Sequence, residues 1–404
     1  MVTIFDINSN EELDRYILYA LLTGKTGDGE TSLLDQLKLA LLWNRPDIAE
    51  SHIFTAQPTW PSGALEDLMT IALLEEKVEF VQQFVVNGLV MADYLNVKTL
   101  RHLYNEACRM TPNSHMTRLL QKSSHHQYVF YLVHVHQLME AVMRKHKDPP
   151  YLADTLEAAT TDPSVGYRTF QDPYQELLLW AILSRRNNLA QYLWQRSESP
   201  LSCAVAASSL YKALWISLGA KNTDIRSEYW ANMEVFEKLA SDFLQQCYNH
   251  DIMNAMGLVE RRNAKWGDLD CLELALLGNN RKLISTPAAQ ASIEFSWRRG
   301  MMRAPYYAVF FANFLPLLIY MPRIFRFQKL GDNRDDLTAL QKFMVFYMSP
   351  ISKFYLHSTC FVLFLLLYSY VVLFDFKYEM TIGEKVVLVW MITYVLDELA
   401  EVDL

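Results

Sequence analysis

Helix breakers are scarce, with only 13 glycines and 14 prolines in 404 residues. Long regular elements are therefore expected. Paired cysteines are also missing. Cys108, Cys203, Cys247, Cys271 and Cys360 are odd in number, scattered and without a CxxC pair. That pattern fits free thiols in a reducing compartment rather than a disulfide framework. No basic excess exists: 37 Lys/Arg against 45 Asp/Glu give a net charge of −8, so nucleic acid is not an expected partner. Met1–Asn10 lacks a basic start and an apolar core, and Asp6 interrupts it, which excludes a secretory signal. The bulk of the chain is expected to be cytosolic.

Catalytic arrangements are lacking as well. The sequence has no nucleophile–base pair, phosphate-binding glycine loop or kinase motif. Gly24-Lys25-Thr26-Gly27-Asp28-Gly29 has the composition of a Walker loop without its order, and the residues before it read as helix rather than strand. Neither an enzymatic activity nor a resident cofactor is expected.

What is present is a repeated helical phrase. Leu39–Leu42 reads Leu-Ala-Leu-Leu; Ile71–Leu74, Trp180–Leu183 and Leu274–Leu277 repeat it. Eight and nine positions after each alanine comes an apolar pair: Ile48/Ala49, Phe80/Val81, Leu189/Ala190 and Leu283/Ile284. A short polar break separates the two parts, as when a helix ends, turns and a second helix packs back. Chance produces single matches of this kind, but four with one offset favour a solenoid of helix pairs. The first two copies are about one ankyrin period apart, and the wider later intervals have room for further degenerate repeats. The fold class is mainly α, with an ankyrin-like helical-repeat region. Thr111–Gln127 and Lys145–Gln175, rich in Pro, Ser, Thr, Asp and His, read as surface loops. Val2–Phe5 reads as the last strand of a preceding domain.

Phe354–Phe374 holds 21 residues without a formal charge, and a helix of that length spans roughly 30 Å, one hydrocarbon core. Tyr355 and Tyr370 suit its interfaces. From Arg298 to Lys353 nine Lys/Arg face three Asp/Glu, so the preceding flank is expected to be cytoplasmic. Val386–Leu396, extended back to Ile382, reads as a returning second span that ends on Asp397-Glu398-Leu399-Ala400-Glu401. Tyr306–Tyr320, shorter and interrupted by Pro316, reads as an interfacial, pre-membrane helix.

Several segments resemble the TRP-melastatin cation channels. Trp43-Asn44-Arg45-Pro46-Asp47-Ile48-Ala49 with Ile53-Phe54 is similar to that family's homology-region signature, and Leu65–Gly88, Leu95 and Leu100–Asn105 continue it. Leu177–Trp194, Trp266–Ala275, Trp297–Gly300 and Ser349–Phe354 resemble further family segments, in family order. The closest flavour is the branch containing the channel-kinases. The resemblance implies the end of an N-terminal domain with a connecting helix at 1–30 and the melastatin repeat region at 31–300. A pre-membrane helix and basic linker would follow at 301–350, then the first membrane helix and start of the second at 351–404.

It also implies a multi-pass subunit, of the plasma membrane, with residues 1 to about 353 cytoplasmic. Its partners would be other channel subunits in a homo- or hetero-tetramer, membrane lipids including phosphoinositides, and permeant cations. The pore helices would lie outside this chain. The alternative is a short, non-conducting, membrane-anchored isoform acting as an interaction module on full subunits.

Two sets of candidate site residues follow. Glu398 and Glu401, at i and i+3, share one helical face at the cytoplasmic end of the second span. Carboxylates at membrane depth are costly unless paired, and hard oxygens suit Ca²⁺ as a regulator. The resemblance places a calcium site there, with Glu398 matching and Glu401 departing from the family's Gln. The plainer reading is a polar helix end. Arg298, Arg299, Arg303, Arg323, Arg326 and Lys329 are candidates for lipid headgroups, or set topology alone. His125, His126, His134 and His136 cluster in sequence without an acidic or cysteine ligand at metal spacing, and read as surface histidines.

Overall fold

The computed structural model describes residues 17, 33–56, 60–61, 63–124, 129–143, 170–219, 223–263, 266, 268–298, 301–302, 304–327, 338–374 and 381–402. Val2–Phe5, Gly24–Gly29 and most of Lys145–Gln175 lie outside them. Contacts divide the chain into two compact units, Met1–Ala289 and Gln290–Leu404.

The first unit is helical throughout its named elements. They run α1 (Leu33–Leu42), α2 (Pro46–Ile48, continuing as a π-helix Ala49–Phe54), α3 (Glu66–Leu74), α4 (Val78–Val86), α5 (Met91–Tyr94), α6 (Val97–Met110), α7 (His115–Ser123) and α8 (Leu132–Met143). Then come α9 (Pro173–Leu183), α10 (Asn187–Arg196), α11 (Pro200–Ser217), α12 (Thr223–His250), α13 (Ile252–Glu260), α14 (Cys271–Gly278) and α15 (Arg281–Ile284). Helix α16 (Pro287–Arg298) crosses the division between the units.

Each copy of the phrase is one helix pair closed by the same cap. Four residues after the alanine the chain turns left-handed, at Asn44 (φ 52°), Glu76 (57°), Arg185 (63°) and Asn279 (52°). The next backbone N–H returns to the alanine carbonyl: Arg45 to Ala40 at 3.0 Å, Lys77 to Ala72 at 2.9 Å, Arg186 to Ala181 at 2.8 Å and Asn280 to Ala275 at 2.7 Å. The left-handed residue's own N–H bonds to the following carbonyl, Leu41, Leu73, Ile182 or Leu276. These are Schellman caps, which satisfy carbonyls that a helix end leaves orphaned. Asn tolerates this conformation; Glu76 and Arg185 adopt it at some cost. All four alanines are 0% exposed. The reversal carries the second helix's apolar pair into the same core, where Ile48, Ala49, Phe80, Val81, Leu189, Ala190 and Leu283 are at most 1% exposed.

Stacking of the copies follows one chemistry. In the second and third copies the residue five after the alanine reaches back to the helix end of the copy before it; in the fourth that residue is Asn280, whose Nδ2 faces Ser208 Oγ at 3.4 Å instead. Lys77 Nζ donates to Leu41 O at 2.6 Å. Arg186 donates to Leu74 O through Nη2 at 2.7 Å and Nε at 3.2 Å. A cation thus meets the negative end of the helix dipole at both of these junctions. The third copy therefore sits directly on the second. Helices α5 to α8, which come between them in sequence, are not further repeats in that stack; they pack against α3, α9 and α11. Helices α11 and α12 form a longer hairpin between the third and fourth copies, with α14 lying on α11. At that crossing a Cβ on Gly278 would collide with Ser209 Oγ and fall 3.0 Å from its Cβ, so the glycine sets the approach.

Thr111–Gln127 differs from its loop reading, because α7 occupies its centre. Ser114 Oγ accepts from Thr117 N at 3.1 Å and starts the helix. Met116 and Leu120, one turn apart, are 2% and 0% exposed. Composition hid an apolar stripe only two residues wide.

In the second unit, strand β1 (Met301–Met302) pairs antiparallel with β2 (Arg326–Phe327). Between them lie α17 (Tyr306–Phe314) and a 3₁₀ turn (Pro316–Tyr320). Proline cannot supply the next helical donor, so α17 breaks at Leu315. Helix α18 (Ala339–Met348) completes a small core of Ala308, Val309, Ala312, Ile319, Phe325 and Phe346. Ile351 of α19 (Pro350–Phe374) joins that core, and Tyr355 one turn on packs against it, 5.7 Å from Phe310 between ring centroids. Helix α20 (Ile382–Val402) runs antiparallel to α19: Tyr394 meets His357, Phe361 and Phe364, while Val387 clusters with Val371. The helix continues past Leu396 through the acidic residues.

Candidate functional site

The feature most at odds with life in water is α19. It has 25 residues, a mean hydropathy of 2.0 in its most apolar 18-residue window, and only 11% of that window is buried. Leu365, Leu366, Leu373 and Phe374 are all exposed. A core helix of a soluble protein would be covered; this one presents apolar side chains all round, which is the pattern of a bilayer span. Among the described residues it is the one helix long and apolar enough to cross a membrane. Helix α20 packs along it without meeting that criterion.

The basic candidates separate into different situations. Arg298 is held within the protein: Nε donates to Glu294 at 3.0 Å, Nη1 to Ala304 O at 2.6 Å, and its guanidinium lies 4.7 Å from the Tyr306 ring centroid. It staples α16 to the start of α17. Arg323 and Arg326 are exposed. Arg299, Arg303 and Lys329 lie outside the described residues.

Glu398 and Glu401 fall one turn apart in the last part of α20, with side chains outside the described residues. Two carboxylates supply a minority of the six to eight oxygens Ca²⁺ takes, so a complete site would need ligands from elsewhere. His134 and His136 are on α8, and His125 and His126 lie outside the described residues. Among the described residues no group of three His, Cys, Asp or Glu could hold a metal ion.

Sequence reading missed a polar centre inside the repeat array. Glu228 on α12 pairs with Arg185 and accepts from Asn187 Nδ2 at 2.7 Å; Asn187 Oδ1 in turn accepts from Tyr211 OH at 2.8 Å. Nearby, His115 is 5% exposed. Its Nε2 lies 3.3 Å from Ser217 Oγ and its Nδ1 3.5 Å from Tyr229 OH. Burial, then the charges of Arg118 and Arg185, push its pKa down to about 4. The folded value lies below the unfolded value of about 6.5, so the unfolded chain binds more protons in between. The stability contributed by the neutral imidazole is therefore full above about pH 6.5 and is lost as pH falls towards 4. The thermal midpoint should fall more between pH 7.5 and 5 in the native chain than in His115→Gln. Equal falls would remove His115 as the cause.

Among the described residues, a helical-repeat array and one exposed helix of bilayer length are the features of a membrane-associated repeat protein. The profile of the TRPM2-like domain family matches residues 52–286, which take in the second to fourth copies of the phrase. The chain belongs to the TRP-melastatin (TRPM) family. It is 29% identical to the rat transient receptor potential cation channel subfamily M member 2, over 97% of this chain and 28% of that protein. Against mouse member 6 the identity is 25%, over 99% of this chain and 26% of the relative. Against human member 5 it is 26%, over 99% and 41%. The chain thus spans between about a quarter and two-fifths of the length of these relatives.

Proposed function

We propose that this chain is part of a cation channel subunit, supplying a cytoplasmic repeat arm and the first membrane crossing. The observation that carries this reading is α19, an uncovered apolar helix in a chain of the melastatin family. Its basic preceding flank favours a cytoplasmic start, with residues 1 to about 353 inside and α20 returning as a second crossing of a multi-pass plasma-membrane protein. The partners proposed are other subunits in a tetramer, anionic lipids at Arg323 and Arg326, and permeant cations. Conduction needs pore-lining helices and a filter, which this reading assigns to segments other than those described. Glu398 and Glu401 are proposed to contribute two ligands to a regulatory Ca²⁺ site on the cytoplasmic side.

The test is Leu366→Arg in a full-length subunit carrying this sequence. Leu366 is 63% exposed, so in a soluble protein the change would be harmless. At the centre of a bilayer span it costs roughly 2.5–3.5 kcal/mol. Surface expression and whole-cell cation current should both fall sharply; an unaltered current would remove the span.

A further inference from the structure

Four Ser/Thr-Pro pairs occur in the sequence: Thr111-Pro112, Ser199-Pro200, Thr286-Pro287 and Ser349-Pro350. In the last three the proline opens a helix, α11, α16 or α19, where its missing N–H costs nothing. Their hydroxyl residues are withdrawn from solvent: Thr286 and Ser349 are buried and Ser199 is half-buried. Thr111-Pro112 is different. Pro112 lies in the turn between α6 and α7 and starts no helix, and Arg109, Met110, Thr111, Pro112 and Asn113 are all exposed. That stretch can be drawn out into an extended strand without uncovering core, since the nearest buried residues are Cys108 before it and His115 after it.

The Thr111 hydroxyl belongs to the junction of two helices. A residue before proline is kept out of the α region, and α6 ends here, with Thr111 Oγ1 donating to Ala107 O at 2.8 Å beside its own N–H at 3.1 Å. The Thr111 carbonyl holds the start of α7, accepting from Ser114 N at 3.1 Å and from Thr117 Oγ1 at 2.9 Å. Helix α7 in turn carries His115 against Ser217 and Tyr229. A phosphate ester cannot donate, so it forfeits the bond to Ala107 O, and its charge of about −2 meets the negative end of the α6 dipole. We infer that Thr111 is a phosphorylation site for a proline-directed protein kinase, and that its phosphate loosens the α6–α7 junction. The Thr111 oxygen attacks the γ-phosphorus of ATP, the bond to the β-phosphate oxygen breaks as ADP leaves, and the hydroxyl proton passes to the kinase's base. In the cell this requires the cytoplasmic placement proposed above; with purified protein it does not, so the two readings fail separately.

The full chain in detergent micelles should be incubated with a cyclin-dependent or mitogen-activated protein kinase and Mg·ATP, and the sites mapped by mass spectrometry. Thr111 should be labelled ahead of Ser199, Thr286 and Ser349; Thr111→Ala should remove that label and Thr111→Ser should keep it. Losing a small apolar contact in an enzyme's pocket costs roughly tenfold in kcat/KM, so Pro112→Ala, which keeps the hydroxyl, should slow labelling by that factor. In the phosphorylated chain, amide exchange at the end of α6 and the start of α7 should quicken roughly tenfold, with α14 unchanged. Absence of label at Thr111 overturns the site, and equal rates in Pro112→Ala overturn the kinase class. Unchanged exchange in the labelled chain overturns the loosening.

Discussion

Replacing Ala181 with tryptophan is expected to destabilise the repeat array by about 1–3 kcal/mol, the range of overpacked cores. Ala181 is 0% exposed, and its neighbours Leu177, Leu178, Trp180 and Ile182 are each at most 1% exposed. A new indole has no surface to escape to, so it must push α9 away from the helices it packs on. Ala72→Trp is the matching test in the second copy, where Ala72 is also 0% exposed. Thermal denaturation of either variant should show a lowered midpoint, with Ala181→Ser changing it less. An unshifted midpoint in both tryptophan variants would mean that the recurrent alanine is not a helix-contact position.

Removing the cation that joins the second and third copies is the other large effect. Arg186→Met keeps the length and apolar stem of the side chain but removes both hydrogen bonds to Leu74 O and the guanidinium placed 4.7 Å from the Trp180 ring centroid. Hydrogen bonds to charged groups contribute about 1.5–3 kcal/mol, and losing the donor leaves a helix-end carbonyl short of partners. Burial pulls the Arg186 pKa down while Glu76 raises it; an arginine remains charged under such shifts. Amide hydrogen exchange should therefore speed up in α3, α4, α9 and α10, with Arg186→Lys intermediate, since Lys77 performs the same role at the first junction. Unchanged protection in Arg186→Met would show that this cation does not hold the two copies together, leaving apolar contact and the Asn188 N–H bond to Glu76.

The helix pairs were legible because alanine, the polar break and the apolar pair are local and keep one offset. The left-handed turns were less so: Asn44 and Asn279 are residue types that favour that conformation, but Glu76 and Arg185 are not. Stacking order was hidden, because the contact of Arg186 with Leu74 bridges 112 positions in sequence and no local period encodes it. The signal that could have revealed it is the cation recurring five residues after the alanine at Arg45, Lys77 and Arg186. Helix α7 was masked by polar composition, although the Met116/Leu120 spacing was available. Helix α19 could be read from length and charge alone, since a bilayer demands a long uncharged run whatever packs around it. Arg298 could not be told from its basic neighbours, because what holds it is a glutamate one turn before it and a carbonyl and an aromatic ring after it.

The membrane crossing itself is tested most directly by side-specific labelling. Cysteines introduced one at a time at Glu379 and at Asp332, in a full-length subunit whose native cysteines, Cys108, Cys203, Cys247, Cys271 and Cys360 among them, are replaced by serine, should be treated with an impermeant thiol reagent outside intact cells. If α19 carries the chain across between them as proposed, Glu379→Cys should react and Asp332→Cys should react only after permeabilisation. Labelling of Asp332→Cys but not Glu379→Cys would reverse the orientation, and external labelling of both would contradict the crossing.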